Sequence, residues 1–320
     1  MPRLIDDETI QQFHKDGAAV LKGVFSDWVD TLRAGIKANM DDPDPNARIY
    51  KGENGGGRFF VDYCNWDRIP EYKDFIFNSK AAEIGAELMD SSAVQLFHEH
   101  VLVKEAAAGV PTPWHQDAPY YCVDGPKTLS LWIPLDDVPR ETTLEFLAGS
   151  HKWGKYYRPQ RFNGEALNDN DGLEEIPDIN GKRDDYDIIG WAVEPGDAIA
   201  FDYRTIHGAP ANTSKSNERR AFSLRLLGDD VRFARREGIV TSPPFTQVTL
   251  QDGDADDLNA VHHDMLAALS EHAAKRDVSI VQISAAGVSA DASTAFFRSK
   301  AAGDAALLAS GAPVWILRPG

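Results

Sequence analysis

The chain has 320 residues, a hydrophobic fraction of 42% and a formal net charge of −17. This length accommodates one large domain with a substantial core, alone or with an appendage. A surface this acidic repels phosphate backbones and anionic membranes, so we expect no nucleic-acid partner and no membrane partner.

The sequence also carries expectations about the compartment. No run of about 18 apolar residues is present, so no transmembrane helix is expected. The first residues lack the apolar core of a signal peptide. The two cysteines, Cys64 and Cys122, imply no disulfide framework and fit a reducing environment. Together these features predict a cytoplasmic protein.

The first 58 residues predict helix, strand, helix and loop. Apolar spacing predicts a helix from Asp7 to Lys15, a strand from Ala18 to Leu21 and a second helix from Ser26 onward. Gly17 is a typical residue just after a helix end, and Ser26 is a typical N-cap. Residues 41–58 contain two prolines and four glycines, which predict a loop.

From residue 93 the hydrophobic period changes to two, which is typical of strands. The predicted strands are Ala93–Val103, Leu129–Ile133, Thr143–Leu147, Ala198–Tyr203 and Arg219–Leu227. Residues 155–190 are polar and predict a long excursion. Many short strands with few helices between them predict a mainly β fold with flanking helices, an antiparallel sandwich or jelly roll.

Residues 246–320 differ from the rest of the chain. A helical pattern at 255–275 is followed by a strand-like segment, Val278–Ile283, a second helical stretch near 290–301 and Val314–Leu317. We therefore divide the chain into a domain of residues 1–245 and a C-terminal extension of residues 246–320. The extension either packs on the core or forms a contact within a homo-oligomer, and it contains no catalytic constellation.

Three His-x-Asp matches begin at His14, His115 and His262. In a strand, residues i and i+2 share a face, whereas in a helix they lie roughly 200° apart. His14 and His262 lie in helical patterns and are expected to face solvent. Prolines flank His115 and favour extended backbone. Only His115 and Asp117 can therefore bind one metal ion together.

A third candidate ligand, His207, follows 92 residues after His115. Two histidines and one carboxylate on one face of a metal are the ligand set of non-haem Fe(II) oxygenases, which keep positions open for a cosubstrate and O₂. His98 and His100 also share a strand face, but the sequence offers them no third ligand. They are a weak second metal candidate.

An iron oxygenase that uses 2-oxoglutarate needs a buried cation for the far carboxylate of this cosubstrate, and arginine binds carboxylates in a bidentate manner. Such an arginine is expected on the strand after the distal histidine. The candidates there are Arg219, Arg220 and Arg225. Arg219 and Arg225 share one face of that strand, and Arg220 lies on the other.

The chain resembles the phytanoyl-CoA dioxygenase family of Fe(II)/2-oxoglutarate oxygenases. The segments that carry the resemblance are Thr112–Tyr120, Leu144–His151, Pro195–Asp197, Ile206–Ala209 and Arg219–Ser223, and the resemblance spans roughly residues 4–245. It implies a double-stranded β-helix, which is a jelly-roll or cupin-like core. It also implies His115, Asp117 and His207 as catalytic iron ligands.

The same resemblance implies the residues around the cosubstrate. Arg219 matches the arginine that binds 2-oxoglutarate, with Arg220 as the fallback. Trp132 matches an aromatic residue that packs at the cosubstrate. His100 and Lys104 lie on the inward face of the preceding strand and are expected to contact cosubstrate or substrate.

The predicted activity is hydroxylation of an unactivated C–H bond in a small organic metabolite, with O₂ consumed and succinate and CO₂ released. The alternatives are a non-catalytic barrel that binds a metal or ligand, and a halogenase. Asp117 argues against the halogenase, which needs that coordination position for halide. Aromatic residues offered for a substrate pocket are Phe59, Phe60, Tyr63, Trp66, Trp114, Tyr120 and Tyr121. No basic cluster suited to the phosphates of coenzyme A is evident.

Overall fold

The structure is a computed structural model. It describes residues 3–51, 56–168, 171–236, 238–245, 250, 252–254, 280–284, 288–292, 295–311 and 313–318. The chain forms two compact units. Unit 1 comprises Met1–Tyr121, Gly125–Asp229 and Arg236–Pro244, and unit 2 comprises Cys122–Asp124, Asp230–Arg235 and Phe245–Gly320. None of the helices in the described ranges is long and apolar enough to cross a membrane.

Unit 1 contains four α-helices and eleven strands among its described residues. The helices are α1 (Asp7–Asp16), α2 (Val29–Asp41), α3 (Pro70–Asn78) and α4 (Ala81–Met89). The strands are β1 (Ala18–Leu21), β2 (Arg48–Lys51), β3 (Arg58–Tyr63), β4 (Val94–Lys104), β5 (Thr112–His115), β7 (Thr128–Pro134), β8 (Glu145–Leu147), β9 (Ile188–Ile189), β10 (Ala198–Phe201), β11 (His207–Ala209) and β12 (Arg219–Gly228). Strand β6 (Val123–Asp124) belongs to unit 2.

The strands of unit 1 form two antiparallel sheets. The larger sheet has seven strands in the order β1-β10-β7-β12-β4-β3-β2, and the smaller has four in the order β5-β11-β8-β9. Their inner faces share a hydrophobic cluster that includes Trp132 and Phe201 from the large sheet and Phe146 from the small one. Two sheets packed around such a core confirm the predicted jelly roll.

The outer face of the large sheet is covered by helices. Phe222 on β12 packs against Tyr72 and Phe75 of α3, with ring centroids 4.8 and 5.5 Å apart. These residues belong to the largest hydrophobic cluster, which also takes in Val101 and Leu224 from the same sheet face. Burial of this apolar face is the main source of stability that the fold offers.

The first helix matches its prediction closely. The Asp6 side chain accepts a hydrogen bond from the Thr9 amide at 2.8 Å, which caps the start of α1. Gly17 ends the helix with φ +80°, a left-handed conformation that glycine adopts without strain. The N-cap prediction for Ser26 was wrong. Its hydroxyl donates to the Gly23 carbonyl, and Ser26 itself opens a 3₁₀ turn before α2.

The predicted loop at 41–58 is also partly wrong, because β2 occupies Arg48–Lys51 and pairs with β3. The strand predictions in the core hold, with shifts of one or two residues at their ends. Helices α3 and α4 lie in a region, between the predicted loop and the predicted strand Ala93–Val103, for which no element was predicted. The residues at the tip of the β2–β3 connection, 52–55, lie outside the described residues.

Unit 2 contains β6 (Val123–Asp124), β13 (Arg232–Phe233), β14 (Ile280–Ile283), α5 (Ala295–Ala309) and β15 (Val314–Leu317). Strands β6 and β13 pair antiparallel, whereas β14 and β15 pair parallel. Leu307 of α5 packs on Ile280, as expected for a helix that connects two parallel strands. The helix predicted at 255–275, with His262, lies outside the described residues.

Candidate active site

The two candidate histidine ligands are neighbours across the small sheet. His207 on β11 is the direct antiparallel partner of His115 on β5, and their ring centroids are 4.2 Å apart. Asp117 follows β5 by two residues. Its Oδ1 lies 3.7 Å from His115 Nε2 and 3.9 Å from His207 Nε2. Pairing of β5 with β11 thus brings together three side chains that are far apart in sequence.

Each histidine is oriented by a backbone carbonyl. His115 Nδ1 lies 2.8 Å from the Pro113 oxygen, and His207 Nδ1 lies 2.9 Å from the Thr205 oxygen. Because a carbonyl oxygen can only accept, Nδ1 carries the proton in both rings. The lone pair of each Nε2 therefore faces the space beside Asp117. Burial and the neighbouring His115 lower the pKa of His207 to about 3, so its ring is neutral at physiological pH.

Asp117 uses its two oxygens differently. Oδ1 faces the histidines, while Oδ2 accepts a hydrogen bond from Ser130 Oγ at 3.0 Å and lies 3.3 Å from Arg225 Nη2. Burial alone would raise the pKa of Asp117, but Arg225 and the nearby histidines hold it well below its usual range. Arg225 is itself fixed by Tyr121, whose hydroxyl accepts from its Nε at 3.1 Å.

These three side chains fit a divalent iron ion. Donor atoms separated by 3.7 and 3.9 Å can be bridged by one cation with bonds of about 2.1 Å. Two neutral imidazoles and one carboxylate are donors suited to iron, and a three-residue set leaves other coordination positions open. In the described part of the chain, no other three His, Cys, Asp or Glu side chains come this close together. His98 and His100 thus gain no third ligand there.

The other His-x-Asp match within the described residues behaves as predicted. His14 lies on α1, and its side chain is exposed. It is also absent from the cavity that holds His115, Asp117 and His207. Helical geometry thus keeps His14 and Asp16 away from a common metal ion.

Two buried cations lie at one end of the same cavity. Arg219 on β12 is the direct cross-strand partner of Lys104 on β4. Lys104 Nζ lies 3.2 Å from Thr112 Oγ1 and 4.7 Å from the centre of the Phe59 ring. Burial, together with Arg219, lowers the pKa of Lys104 well below its ordinary value, and burial lowers that of Arg219 to about 10.

Neither cation is neutralised by the described residues. Arg219 donates to the Thr142 carbonyl, and no carboxylate of the described chain lies within ion-pair distance of Arg219 or Lys104. Burying two cations side by side is unfavourable unless an anion compensates them. This end of the cavity is therefore suited to a carboxylate ligand.

Arg220 points away from the cavity. Its Nη2 lies 2.6 Å from Asp136 Oδ1, and its Nε lies 3.2 Å from Glu218 Oε1. Because alternate residues of a strand face opposite sides, Arg219 and Arg225 line the cavity while Arg220 does not. Arg220 is thus already occupied by two carboxylates outside the site.

Trp132 and His100 line the cavity beside the metal ligands. They lie on the strands that flank β12, each opposite Ser223. His100 is half-buried, and its buried Nε2 has no hydrogen-bond partner among the described residues. Burial, followed by the nearby Arg225, lowers the pKa of His100 to about 3, so the ring is neutral. A neutral imidazole of this kind offers one hydrogen bond to a bound molecule.

The cavity has a volume of about 460 Å³ and lies within unit 1. Of the aromatic residues proposed for a substrate pocket, Phe59, Tyr63, Tyr120 and Tyr121 line it. Phe60, Trp66 and Trp114 do not. Phe60 and Trp66 pack into the core under the helices, and Trp114 lies in another cluster, where its Nε1 donates to Asn180. Because successive residues of a strand face opposite sides, Phe60 on β3 and Trp114 on β5 point away from the cavity that their neighbours line.

Sequence reasoning missed several residues of the site. Ser130, which donates to Asp117, lies two residues before Trp132 on β7, so the shared strand face was a signal that could have identified it. The lining residues that were missed come from β2 and the turn before it, from the polar excursion and from the segment that ends at Pro244: Asn46, Arg48, Tyr50, Gln160–Asn163, Leu167 and Val240–Pro244. No local pattern in these segments indicates that they meet at one cavity.

Comparison with solved structures identifies relatives of the fold. The non-heme alpha ketoglutarate dependent carbocyclase SnoK from nogalamycin biosynthesis is 19% identical and has a TM-score of 0.61, with 79% of this chain and 94% of that chain covered. The epimerase SnoN, solved with Fe3+, alpha ketoglutarate and nogalamycin RO, is 19% identical with a TM-score of 0.61, covering 77% and 93%. At this identity the similarity establishes the fold alone.

A third similar structure is EctD from S. alaskensis in its apoform. It is 19% identical with a TM-score of 0.54, and the match covers 71% of this chain and 78% of that chain. A search of curated protein sequences found no match. The sequence profile described as "Phytanoyl-CoA dioxygenase (PhyH)" matches residues 13–221, which is more than half of the chain. The chain therefore belongs to the phytanoyl-CoA dioxygenase (PhyH) family.

Proposed function

We propose that the protein hydroxylates an unactivated C–H bond of a small organic molecule and couples this reaction to decarboxylation of 2-oxoglutarate to succinate and CO₂. Membership of the family supports an Fe(II)/2-oxoglutarate oxygenase. The observation that carries the proposal is one cavity in which His115, Asp117 and His207 converge near the buried pair Arg219 and Lys104. The first group suits iron and the second suits a carboxylate.

In this proposal Arg219 binds the far carboxylate of 2-oxoglutarate, and Lys104 adds a second positive charge. Arg219 is buried without a carboxylate partner, whereas Arg220 already pairs with Asp136, and this difference supports Arg219 as the ligand. Trp132 forms an apolar wall beside the cosubstrate, and His100 offers its unpartnered Nε2 to cosubstrate or substrate. Bound iron with 2-oxoglutarate supplies the chemistry that activates O₂.

The protein's own residues orient and protect this chemistry. The carbonyls of Pro113 and Thr205 fix the imidazole tautomers, so that no proton competes for Nε2. Ser130 and Arg225 hold the far oxygen of Asp117 and leave the near one free for the metal. The aromatic walls limit access of water to the reacting atoms.

Asp117 also weighs against halogenation, because its carboxylate takes the position that a halide would need. A non-catalytic barrel would not need two buried cations without a carboxylate beside an open metal site, since such cations lower stability. Solved structures of the same fold include a carbocyclase and an epimerase. The test of the proposal must therefore distinguish oxygen insertion from other oxidative outcomes.

The test is a screen of small metabolites with the iron-loaded protein, 2-oxoglutarate, chloride and ¹⁸O₂. Hydroxylation predicts succinate together with a product that contains one ¹⁸O atom. Epimerisation leaves the product mass unchanged, cyclisation removes two hydrogens, and halogenation adds chlorine. Any of these three products, or substrate conversion without consumption of 2-oxoglutarate, would contradict the assignment.

A further inference from the structure

The cavity is cationic although the protein is strongly acidic. Among the described residues that line it, the charged side chains are five cations and one carboxylate: Arg48, Lys104, Arg161, Arg219, Arg225 and Asp117. The whole chain has a net charge of −17. Fe(II) brings two positive charges and 2-oxoglutarate two negative ones, so the proposed cofactors leave this excess unchanged. The remaining positive charge indicates a further anionic ligand.

Three of the five cations, here called the inner cations, belong to the proposed iron and 2-oxoglutarate sites. Arg225 contacts Asp117, while Arg219 and Lys104 lie opposite each other on neighbouring strands. Arg48 and Arg161 remain. Arg48 lies on β2 and Arg161 lies in the polar excursion, so folding alone brings these two residues to the same cavity.

Both remaining arginines are near Tyr50 along the chain or through a neighbour: Arg48 lies two residues before it on β2, and Arg161 precedes Phe162, whose ring centroid is 5.5 Å from that of Tyr50. Burial raises the pKa of the Tyr50 hydroxyl, and Arg48 and Arg161 both act against this rise. Within the described ranges, no carboxylate lies within hydrogen-bond distance of either guanidinium. The nearest approach is 4.0 Å, between Arg161 Nη1 and the exposed Glu165 Oε2. Both arginines are exposed, and no described carboxylate lies closer than 4.0 Å to either, so their positive charges are available to bind an anion.

An aromatic cluster lies beside Lys104 in the cavity. Phe59, Tyr50 and Phe162 are in mutual contact, with ring centroids 4.9 to 6.0 Å apart. Phe59 also faces Lys104, whose Nζ lies 4.7 Å from the ring centre. Neighbouring strands thus carry, in order, Arg219, Lys104, Phe59 and Tyr50, and Arg48 lies two residues from Tyr50 on β2.

We propose that the substrate is an anionic small molecule, whose apolar body lies on the Tyr50–Phe59–Phe162 cluster and whose carboxylate, sulfate or phosphate binds Arg48 and Arg161. This inference rests on the proposed function, since it names the substrate class of the same cavity. Asn46 and Asn163 also line the cavity and offer neutral hydrogen bonds. The charge of the anion, and not these amides, then sets the specificity.

The test uses two fluorescent probes with the same aromatic skeleton. One is 1-anilinonaphthalene-8-sulfonate, and the other is neutral N-phenyl-1-naphthylamine. Each is titrated into the full chain with saturating Mn(II) and 2-oxoglutarate, so that the inner cations are occupied. The variant Arg48→Gln/Arg161→Gln removes the proposed anion site. The control Lys15→Gln/Lys37→Gln removes the same charge from exposed side chains of the helical face.

We expect Arg48→Gln/Arg161→Gln to bind the sulfonate at least about tenfold more weakly, because it loses charge-assisted hydrogen bonds. Affinity for the neutral probe should change by less than about twofold, and the control should retain both affinities. Equal loss of both probes, or a sulfonate affinity unchanged by the double substitution, would overturn the proposal. The single Arg48→Lys and Arg161→Lys variants, which keep the charge, should retain a preference for the sulfonate.

Competition identifies the kind of anion. Displacement of the sulfonate by phenyl phosphate or by phenylacetate supports an anionic substrate and separates phosphate from carboxylate. Displacement by neutral phenylacetamide as effective as that by phenylacetate would contradict it. The proposed function has its own readout, which is binding of 2-oxoglutarate by wild-type protein and by Arg219→Leu. Loss of the probe contrast with intact 2-oxoglutarate binding therefore refutes only the substrate class.

Discussion

The two faces of the paired strands β4 and β12 have the same backbone and opposite chemistry. The outer face carries Val101, Val103, Phe222 and Leu224, which pack under the helices. The inner face carries His98, His100, Lys104, Arg219, Ser223 and Arg225, which line the cavity. Both faces are largely buried, so burial alone does not distinguish a structural surface from a functional one.

The difference lies in what each face costs the folded state. Apolar side chains gain free energy when they leave water, at about 25 cal/mol per Å². Buried cations lose hydration and recover it only with a partner. The outer face therefore supplies stability, and the inner face consumes part of it to keep charges ready for ligands. Substitutions on neighbouring residues of one strand should separate these two roles.

The largest expected effect comes from the metal ligands of the inner side. Asp117→Ala should remove bound iron and reduce turnover of 2-oxoglutarate by more than about a thousandfold, since two histidines alone hold the ion weakly. Metal analysis of the purified protein checks this. His14→Ala, which changes the exposed His-x-Asp match on α1, should retain full iron content. Equal iron content in the two variants would remove the basis for the site.

Substitutions on the outer face should change the free energy of unfolding. Phe222→Ala leaves a cavity beside Tyr72 and Phe75 and should lower the free energy of unfolding by about 3–5 kcal/mol. The adjacent inner-face substitution, Ser223→Ala, should change it by less than about 1.5 kcal/mol, because only one hydroxyl is lost. Denaturant titration of both full-length variants measures the two values. A larger loss for Ser223→Ala would reverse the assignment of the faces.

Two adjacent arginines test the same contrast in ligand binding. Arg219→Leu should weaken binding of 2-oxoglutarate by roughly 2–5 kcal/mol, which is thirtyfold or more, because a carboxylate would be buried without its partner. Arg220→Leu breaks an ion pair with Asp136 outside the cavity and should have little effect on this affinity. Calorimetry under anaerobic conditions provides both constants. A large effect from Arg220→Leu alone would place the cosubstrate elsewhere.

Glu99 is the exception on the outer face, and it gives a pH signature. Burial raises its pKa to about 8, so the folded protein keeps a proton there that the unfolded chain loses above about pH 4.5. Stability should therefore fall as pH rises from about 4.5 to 8, by up to roughly 3 kcal/mol from this group at pH 7. Glu99→Gln should remove this slope. An unchanged slope in the variant would show that another group causes it.

The buried histidines of the inner face act with the opposite sign. The pKa of His100 is lowered to about 3, so the unfolded chain binds protons below about pH 6.5 that the folded protein excludes. Metal-free protein should thus lose stability as pH falls from about 6.5 toward 3. The inner face thus lowers the free energy of unfolding as the pH becomes acidic, and the outer face lowers it as the pH rises toward 8.

The sequence predicts those features of the site that depend on backbone preference and on the alternation of side chains along a strand. Prolines around His115 indicate an extended segment, and alternation along β12 places Arg219 and Arg220 on opposite faces. Both are observed. The strand Arg48–Lys51 was missed because prolines and glycines surround it, and edge pairing with β3 outweighs this local preference.

The anion site could not be predicted for a different reason. Arg48 and Arg161 come from distant segments with no shared pattern, and only the closed fold brings them to one cavity. Likewise, Phe60 and Phe59 look equivalent as sequence. Only the pairing register of β3 in the folded sheet places Phe59 on the cavity face and Phe60 on the core face. Local pattern fixes alternation, whereas tertiary packing decides which face becomes the site.

In the proposed function, the cluster of His115, Asp117 and His207 supports O₂-dependent decarboxylation of 2-oxoglutarate. The most direct measurement is the isotope content of succinate formed by iron-loaded protein under ¹⁸O₂ without added substrate. Loss of CO₂ leaves the keto carbon one oxygen short of a carboxylate, so wild-type succinate should carry one ¹⁸O atom, and Asp117→Ala should form almost none. Unlabelled succinate, or equal labelled succinate from both proteins, would show that this cluster does not support the reaction.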